Sequence, residues 1–573
     1  MLRILLICCL FAVPLTVHSA ESTESPIGAA VTDFTLDNSY GKPVSLSDFE
    51  DQKLVVVAFL GTECPLAKLY GPRLRELQEK FADDVIVLGI NSNTQDSMTE
   101  LAAFVRRFKI NFPMLKDVGN RVADAMGAER TPEVFVLDRQ RVVRYHGRID
   151  DQYGVGYSRE RSVQPDLAIA IEEMLQDKPV SVPVTEAVGC YIGKVNKLKP
   201  TGDITYTKHI APIFNSHCVS CHREKELGPF TLTSYKDIQG WEDTIVEVID
   251  DSRMPPWFAN PDHGKFSNDS RLNEDEIALI KTWIANGMPE GNPADLPDPP
   301  KFTDGWRIPE PDQIIKMDVK PFNVPAEGVV DYKRFLVDPG WTEDKYVYAA
   351  EARPDNRSVV HHIVIYIIEP GRRRSDLRKM LAGYAPGSLP INREEGRAMR
   401  VKAGSKLVFE MHYTPNGEED QTDLSYAGLC FLDKSEVKTE VSGMIAANPR
   451  FKIPAGESDH DVYAIAPVTS DQLLLNMTPH LHLRGKSFRY TARYPDGSQK
   501  ILLDVPRYDF NFQLKYSLDE PVKLPRGTVI ECVAIYDNSE ENLSNPNPNI
   551  DVRWGDQSFE EMMIGFMETI PAR

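Results

Sequence analysis

Cysteine is scarce in this chain: eight among 573 residues, and six once Cys8 and Cys9 near the start are set aside. So few thiols in so long a chain exclude a disulfide scaffold. Positive charge is short too. Lys and Arg number 65 against 85 Asp and Glu, a formal net charge of -20, which argues against nucleic acid or an anionic membrane as a partner. After the first stretch, no apolar run approaches the roughly 20 residues that span a bilayer. No repeat recurs at a fixed period. The composition that remains is ordinary for globular proteins, 42% hydrophobic and 26% charged. The length is too great for one core and suits roughly three to five domains.

Residues 1–20 read as a signal peptide. Arg3 supplies a positive start, Ile4 to Leu15 is almost wholly apolar, and Val17-His18-Ser19-Ala20 offers small residues for cleavage. The mature chain is therefore expected to be soluble, in the periplasm or secreted.

Three segments follow. Residues 25–180 alternate strand-like and helix-like patterns. Leu54 to Leu60 is a fully apolar run, as a buried parallel strand would be, and Pro72 to Phe81 has helical spacing. Asp84 to Ile90 and Glu133 to Leu137 repeat the strand pattern, so an α/β sheet covered on both faces is expected. A linker is expected over 181–205. Residues 206–291 are helical in pattern. There, Asn273 to Asn286 begins with a capping residue, carries acids in its first turn and stops before Gly287. A second linker, 292–311, is dense in Pro and Asp. From 312 onward short strand candidates are punctuated by Pro, Gly, Asn and Asp, the pattern of antiparallel β-sandwiches. Two are expected, over 312–440 and 441–573.

The helical segment contains Cys218-Val219-Ser220-Cys221-His222. Two thiols at this spacing reach the vinyl groups of a c-type haem, and the adjacent histidine becomes the proximal ligand. No second Cys/His pair lies nearby to complete a zinc site. Met254 is the candidate sixth ligand, with Met288 and His263 as alternatives. The segment resembles the cytochrome c domains of planctomycete-type multidomain proteins.

The last third carries His361-His362, then His412, then His480-Leu481-His482. Residues i and i+2 of a strand face the same way, so His480 and His482 can chelate one ion. His361 and His362 would face opposite ways on a regular strand. Both can ligate only at a bulge or an edge. The order of these sets, followed by Glu560-Glu561-Met562-Met563, resembles the copper type II, ascorbate-dependent monooxygenases, the family of peptidylglycine and dopamine β-monooxygenase. The resemblance implies two coppers. One would sit on His361, His362 and His412 in the first sandwich. The other would sit on His480, His482 and Met562 in the second, with Met563 as the register alternative. Imidazole suits copper in either oxidation state, and a thioether favours the cuprous ion. In the family the methionine-containing site takes O2 and attacks an sp³ C–H bond. The chain departs from the family where peptide carboxylates are anchored. Thr478-Pro479 precedes His480, and Ile564-Gly565-Phe566 follows the methionine region. No anchor for a carboxylate is evident, and peptidylglycine is not the expected substrate.

Near the start, Phe34-Thr35-Leu36-Asp37, the run to Leu60, Cys64-Pro65-Leu66-Ala67 and Thr131-Pro132 resemble a thioredoxin-like redoxin of the AhpC/TSA type. Cys64 would open a helix, where the thiolate is favoured. Thr131-Pro132 would be the facing cis-proline loop. Ala67 stands where thioredoxins carry the resolving cysteine, so a C-x-x-C cycle is impossible. Cys190 is the one nearby thiol that could resolve a sulfenate. One-cysteine redox chemistry, a docking scaffold and a purely structural role stay open for this domain.

Together these readings imply an exported oxidoreductase. It would be a copper monooxygenase using O2 and an organic substrate, fed through its own haem or by an external donor. The alternative is an electron-transfer or thiol-redox protein whose copper-binding β domain does not hydroxylate.

Overall fold

A computed structural model describes residues 25–572, apart from positions 160, 225, 227, 303, 304, 327, 329, 373–378, 417 and 418. The expected signal peptide lies outside the described residues. Among these residues no helix is long and apolar enough to cross a membrane.

The N-terminal unit is a seven-stranded sheet with helices packed on it. At its centre Leu54–Phe59, buried at every position, pairs in parallel with Val85–Asn91 and antiparallel with Glu133–Leu137. Apolar side chains on both faces build two cores, one on each side of the sheet. This is the thioredoxin-like α/β arrangement, although the sheet is mixed rather than all parallel. The helical spacing read over Pro72 to Phe81 belongs to a longer helix, Pro65–Lys80, which Cys64 opens as the redoxin resemblance implied, with Pro65 at its first turn and Pro72 inside it. Proline is tolerated at a helix start because that N–H has no partner to lose.

Residues 181–205 do not behave as a free linker. They run along the first unit, with His146 N–H donating to Pro183 O (2.9 Å) and Thr94 N–H to Gly193 O (2.9 Å). The strand Cys190–Tyr191 pairs with Arg130–Thr131, setting Cys190 opposite Thr131.

The middle segment holds the helices Ala211–His217, Tyr235–Ile238, Glu242–Asp250 and Glu274–Ala285 around Phe214, Trp241, Trp283 and Met288. Asn273 caps the last helix in a capping box. It is not a closed unit, however. Trp257, Phe258 and Phe266, between two of its helices, are buried in the core of the second β-sandwich.

The rest is mostly β. A first sandwich packs the sheet containing Lys345–Arg353 on the sheet containing Val360–Ile368 and Lys406–Tyr413. After Glu440 the chain crosses, and Ser442–Ala447 pairs with Ile564–Pro571 in the second sandwich. There, two four-stranded sheets enclose one core.

Candidate functional site

The imidazoles of the two sandwiches meet at their common boundary. Val360–Ile368 pairs with Lys406–Tyr413, and the register slips between Val360 and His362. That bulge is what turns both His361 and His362 toward His412, which lies opposite His362. The Nδ1 atoms of His361 and His362 are 3.1 Å apart, and those of His412 and His362 are 3.4 Å apart. Ligand atoms of all three lie within 4.8 Å of one another, the span of one metal ion's donor set.

His480 ends the strand Gln472–His480, and His482 follows it; their ring centroids are 5.3 Å apart. His480 Nδ1 contacts Gln513 Oε1 at 2.7 Å, and His482 Nδ1 contacts Glu560 O at 3.2 Å. Each therefore donates from Nδ1 and keeps a lone pair on Nε2. His482 Nε2 is buried with no hydrogen-bond partner. A buried lone pair without a donor is costly and is what a metal ligand looks like before its ion. The pairing of His480 with Ile564, carried on, sets His482 opposite Met562. Met562 packs toward the first sandwich with Tyr366 and Phe566, whereas Met563 is consumed by the second sandwich's core.

Two aromatic rings join the sets. Phe510 stacks on His361 (5.5 Å, 14°) and stands 6.1 Å from His482. Tyr332 stacks on His412 (4.7 Å, 11°), lies 6.0 Å from His482, and brings its hydroxyl 3.1 Å from His362 Nε2. Burial pushes the His361 imidazole down to about 4 and that of His482 to about 3, with the neighbouring His480 adding to the latter. All five rings are thus held neutral, the form that ligates. Behind them the buried Glu561 carboxylate accepts the N–H groups of His482 (2.8 Å) and Arg484 (2.6 Å). Phe510, Tyr332 and Gln513 carry no sequence signal of their own; Glu561 lies inside the acidic pair before Met562.

In the middle segment Cys218 and Cys221 are half-buried and free. His222 Nδ1 contacts Phe230 O at 3.1 Å, so Nε2 is the ring nitrogen that would hold a metal. Met288 is buried in the helical core with Phe214 and Trp283. Met254 and His263 are half-exposed and outside that core. The Met254 loop is pinned to the second sandwich, because Arg507 donates to Asp251 O (2.7 Å) and to Ser252 O. Arg507 lies three residues before Phe510. Arg357 of the first sandwich pairs with Glu226, just after the Cys-Val-Ser-Cys-His run.

Cys64 caps the helix Pro65–Lys80 and is fully buried. Its thiol can donate to Thr131 O (2.9 Å), beside the cis Thr131–Pro132 bond. Burial pushes this thiol up. Hydrogen bonds from the Cys190 thiol, from Cys190 N–H and from Ala67 N–H outweigh that and bring it down to about 6. Cys190 is held well above the ordinary thiol range, because its proton is shared with Cys64 and because it is buried. The pair is therefore one thiolate and one thiol in contact. The strand pairing puts Cys190 where the helix, with Ala67, lacks a second cysteine.

Residues 27–146 match the model of the AhpC/TSA family. The N-terminal unit is an AhpC/TSA redoxin domain. Chloroplastic peroxiredoxin Q of Sedum lineare is 32% identical over 125 residues, 20% of this chain and 66% of that protein. The thiol-disulfide oxidoreductase ResA of Halalkalibacterium halodurans is 26% identical over 129 residues, 22% of this chain and 72% of that protein. Among solved structures, a hypothetical protein of Sinorhizobium meliloti 1021 aligns at 32% identity over 30% of this chain and 94% of its own, with a TM-score of 0.28. The chain spans less than two thirds of the length of the peroxiredoxin Q relatives from Sedum lineare and rice, 66% and 57%.

The redoxin domain does not present its cysteine to open solvent. Tyr191 N–H donates to Thr244 Oγ1 (3.2 Å), and Arg130 pairs with Glu247 (3.2 Å), so the helix Glu242–Asp250 seals the strand that carries Cys190.

Proposed function

We propose that this is an exported haem- and copper-containing oxidoreductase, an O2-dependent monooxygenase that hydroxylates a C–H bond of an organic substrate with electrons drawn through the haem. The observation that carries the reading is the meeting of five neutral imidazoles from two sandwiches, three sharing one donor set and one with an orphaned Nε2. When bound, copper would supply O2 chemistry and single-electron storage, and haem c one-electron relay. The chain's own residues provide the rest. Gln513 and the Glu560 carbonyl fix the tautomers of His480 and His482. Tyr332 and Phe510 fill the space between the two histidine sets and exclude water from it. Arg507 and Arg357 bind the haem segment against the same module.

Metal analysis of the haem-loaded protein tests this: about two coppers and about one iron per chain are expected, and a protein without copper ends the oxygenase reading. Stopped-flow mixing of reduced protein with O2 tests the electron route. His412→Ala should slow haem oxidation; an unchanged rate separates the haem from the copper site.

The thiol pair favours a second reading, a thiol-redox and electron-transfer protein whose β domain holds copper without hydroxylating. Contact between Cys64 and Cys190 supports it, and O2 uptake never coupled to a C–H substrate would select it.

A further inference from the structure

The first sandwich meets the Cys-Val-Ser-Cys-His segment at one turn. The strand Met380–Tyr384 pairs with Val360–Ile368 and sets Tyr384 opposite Ile363, the residue after His362. Beyond Tyr384 the chain turns sharply. Ser388 Oγ accepts the Ala385 N–H (2.9 Å), and the Ser388 N–H returns to Ala385 O (3.0 Å). Gly387 takes the left-handed conformation there (φ 76°). A Cβ on Gly387 would stand 3.9 Å from Pro256 and 3.9 Å from Phe512. Pro256 lies two residues past Met254, so one end of the turn lies against the loop of the candidate axial methionine.

The other end lies toward the candidate axial histidine. Arg357, four residues before His361, pairs with Glu226, four residues after His222. Burial pushes the Tyr384 phenol above its ordinary range, and Arg357, Glu226 and Cys221 are among the groups whose charge reaches it. The phenol therefore stays protonated and is a donor. Its oxygen is buried without a hydrogen-bond partner. A buried donor of this kind is costly unless an acceptor arrives. A haem held between His222 and Met254 would bring carboxylate side chains, acceptors of the type the hydroxyl lacks. On its other side Tyr384 is close to the copper ligands through the chain: a single cross-strand step leads to Ile363, and a single peptide bond from there to His362.

We propose that Tyr384 joins the haem to the three-histidine centre. Its hydroxyl donates to a haem carboxylate, and its strand leads one electron from ferrous haem to a cupric ion on His361, His362 and His412, leaving ferric haem and cuprous copper. An external one-electron reductant restores the ferrous haem. This rests on the haem and copper reading above and names the residue that connects the two groups.

The test uses the full-length protein loaded with haem and copper. The haem midpoint is read by spectroelectrochemical titration. Internal electron transfer is read by anaerobic flash reduction with a deazaflavin, following haem absorbance and the cupric EPR signal. Tyr384→Phe keeps the ring and removes the donor. The unpaired carboxylate charge then favours ferric haem, so the midpoint should fall. Tyr384→Leu removes the ring as well, and haem re-oxidation should slow at least about tenfold with haem and copper contents unchanged. If Leu impairs folding, the midpoint of Tyr384→Phe decides. An unmoved midpoint in Tyr384→Phe, or an unchanged transfer rate in Tyr384→Leu, overturns the proposal. So does slowing by Phe510→Leu alone, which would put the route on the ring stacked against His361. A lowered midpoint in Tyr384→Phe of a protein that holds no copper keeps the haem contact and ends the electron route together with the copper reading. An unmoved midpoint in a protein that holds both metals ends the Tyr384 contact and leaves that reading intact.

Discussion

Replacing Cys190 by alanine removes one donor to Cys64 and leaves the Cys190 N–H and the helix start in place. In the native chain Cys64 is brought from 9.0 to about 6 against the cost of burial. That is about 4 kcal/mol of net preference for the thiolate. A hydrogen bond to a charged group contributes about 1.5–3 kcal/mol, so losing the Cys190 thiol should raise the Cys64 midpoint by about one to two pH units. The assay is the pH profile of alkylation of the Cys64 peptide by iodoacetamide, read by mass spectrometry. Burial slows labelling throughout but does not move the midpoint. Cys190→Ser keeps a donor and should retain most of the native profile. If Cys190→Ala leaves the midpoint unchanged, the Cys190 thiol does not activate Cys64, and the backbone N–H groups of residues 190 and 67 account for the thiolate.

Met562→Leu should spare copper on His361, His362 and His412 and weaken the His480/His482 site, so retained copper after dialysis falls toward about half; equal loss at both sites would contradict the assignment. Cys221→Ala should impair stable covalent haem attachment, seen as a lost haem stain on a denaturing gel. The copper-free protein should lose stability on acidification. Burial holds His361 near 4 in the folded chain against 6.5 unfolded. Its contribution is therefore fully present above about pH 6.5 and falls by about 1.4 kcal/mol per pH unit below that, levelling off near the folded value. Urea midpoints that do not change between about pH 7 and about pH 5 would show that the ring is not held neutral.

Much of the architecture was legible in local pattern. The apolar run Leu54 to Leu60, the capping residue Asn273 and the alternation of the late strands each express a preference settled within a few residues. The Cys-Val-Ser-Cys-His run is similarly local, since the two thiols and the imidazole are set by one turn of chain. The need for a bulge at His361 followed from the two-residue period of a strand, and the register slip meets it. Helical spacing marked the first helix only from Pro72, and its opening at Cys64 was legible only through the redoxin resemblance. Nor did the sequence pattern show that 181–193 is bound rather than free, because its partners lie in another element.

The sequence by itself determined which residues are chemically able to act: paired thiols beside a histidine, five imidazoles, a helix-capping cysteine. Tertiary structure decided which of them act together. Cys190 meets Cys64 only through pairing with the cis-proline loop, Trp257 leaves the helical segment for a sandwich core, and Tyr384 stands across the sheet from Ile363, beside His362. The physical reason is that periodicity and capping are nearest-neighbour effects along the chain. Sheet register and domain packing, in contrast, bring together side chains whose separation in sequence carries no information about their separation in space.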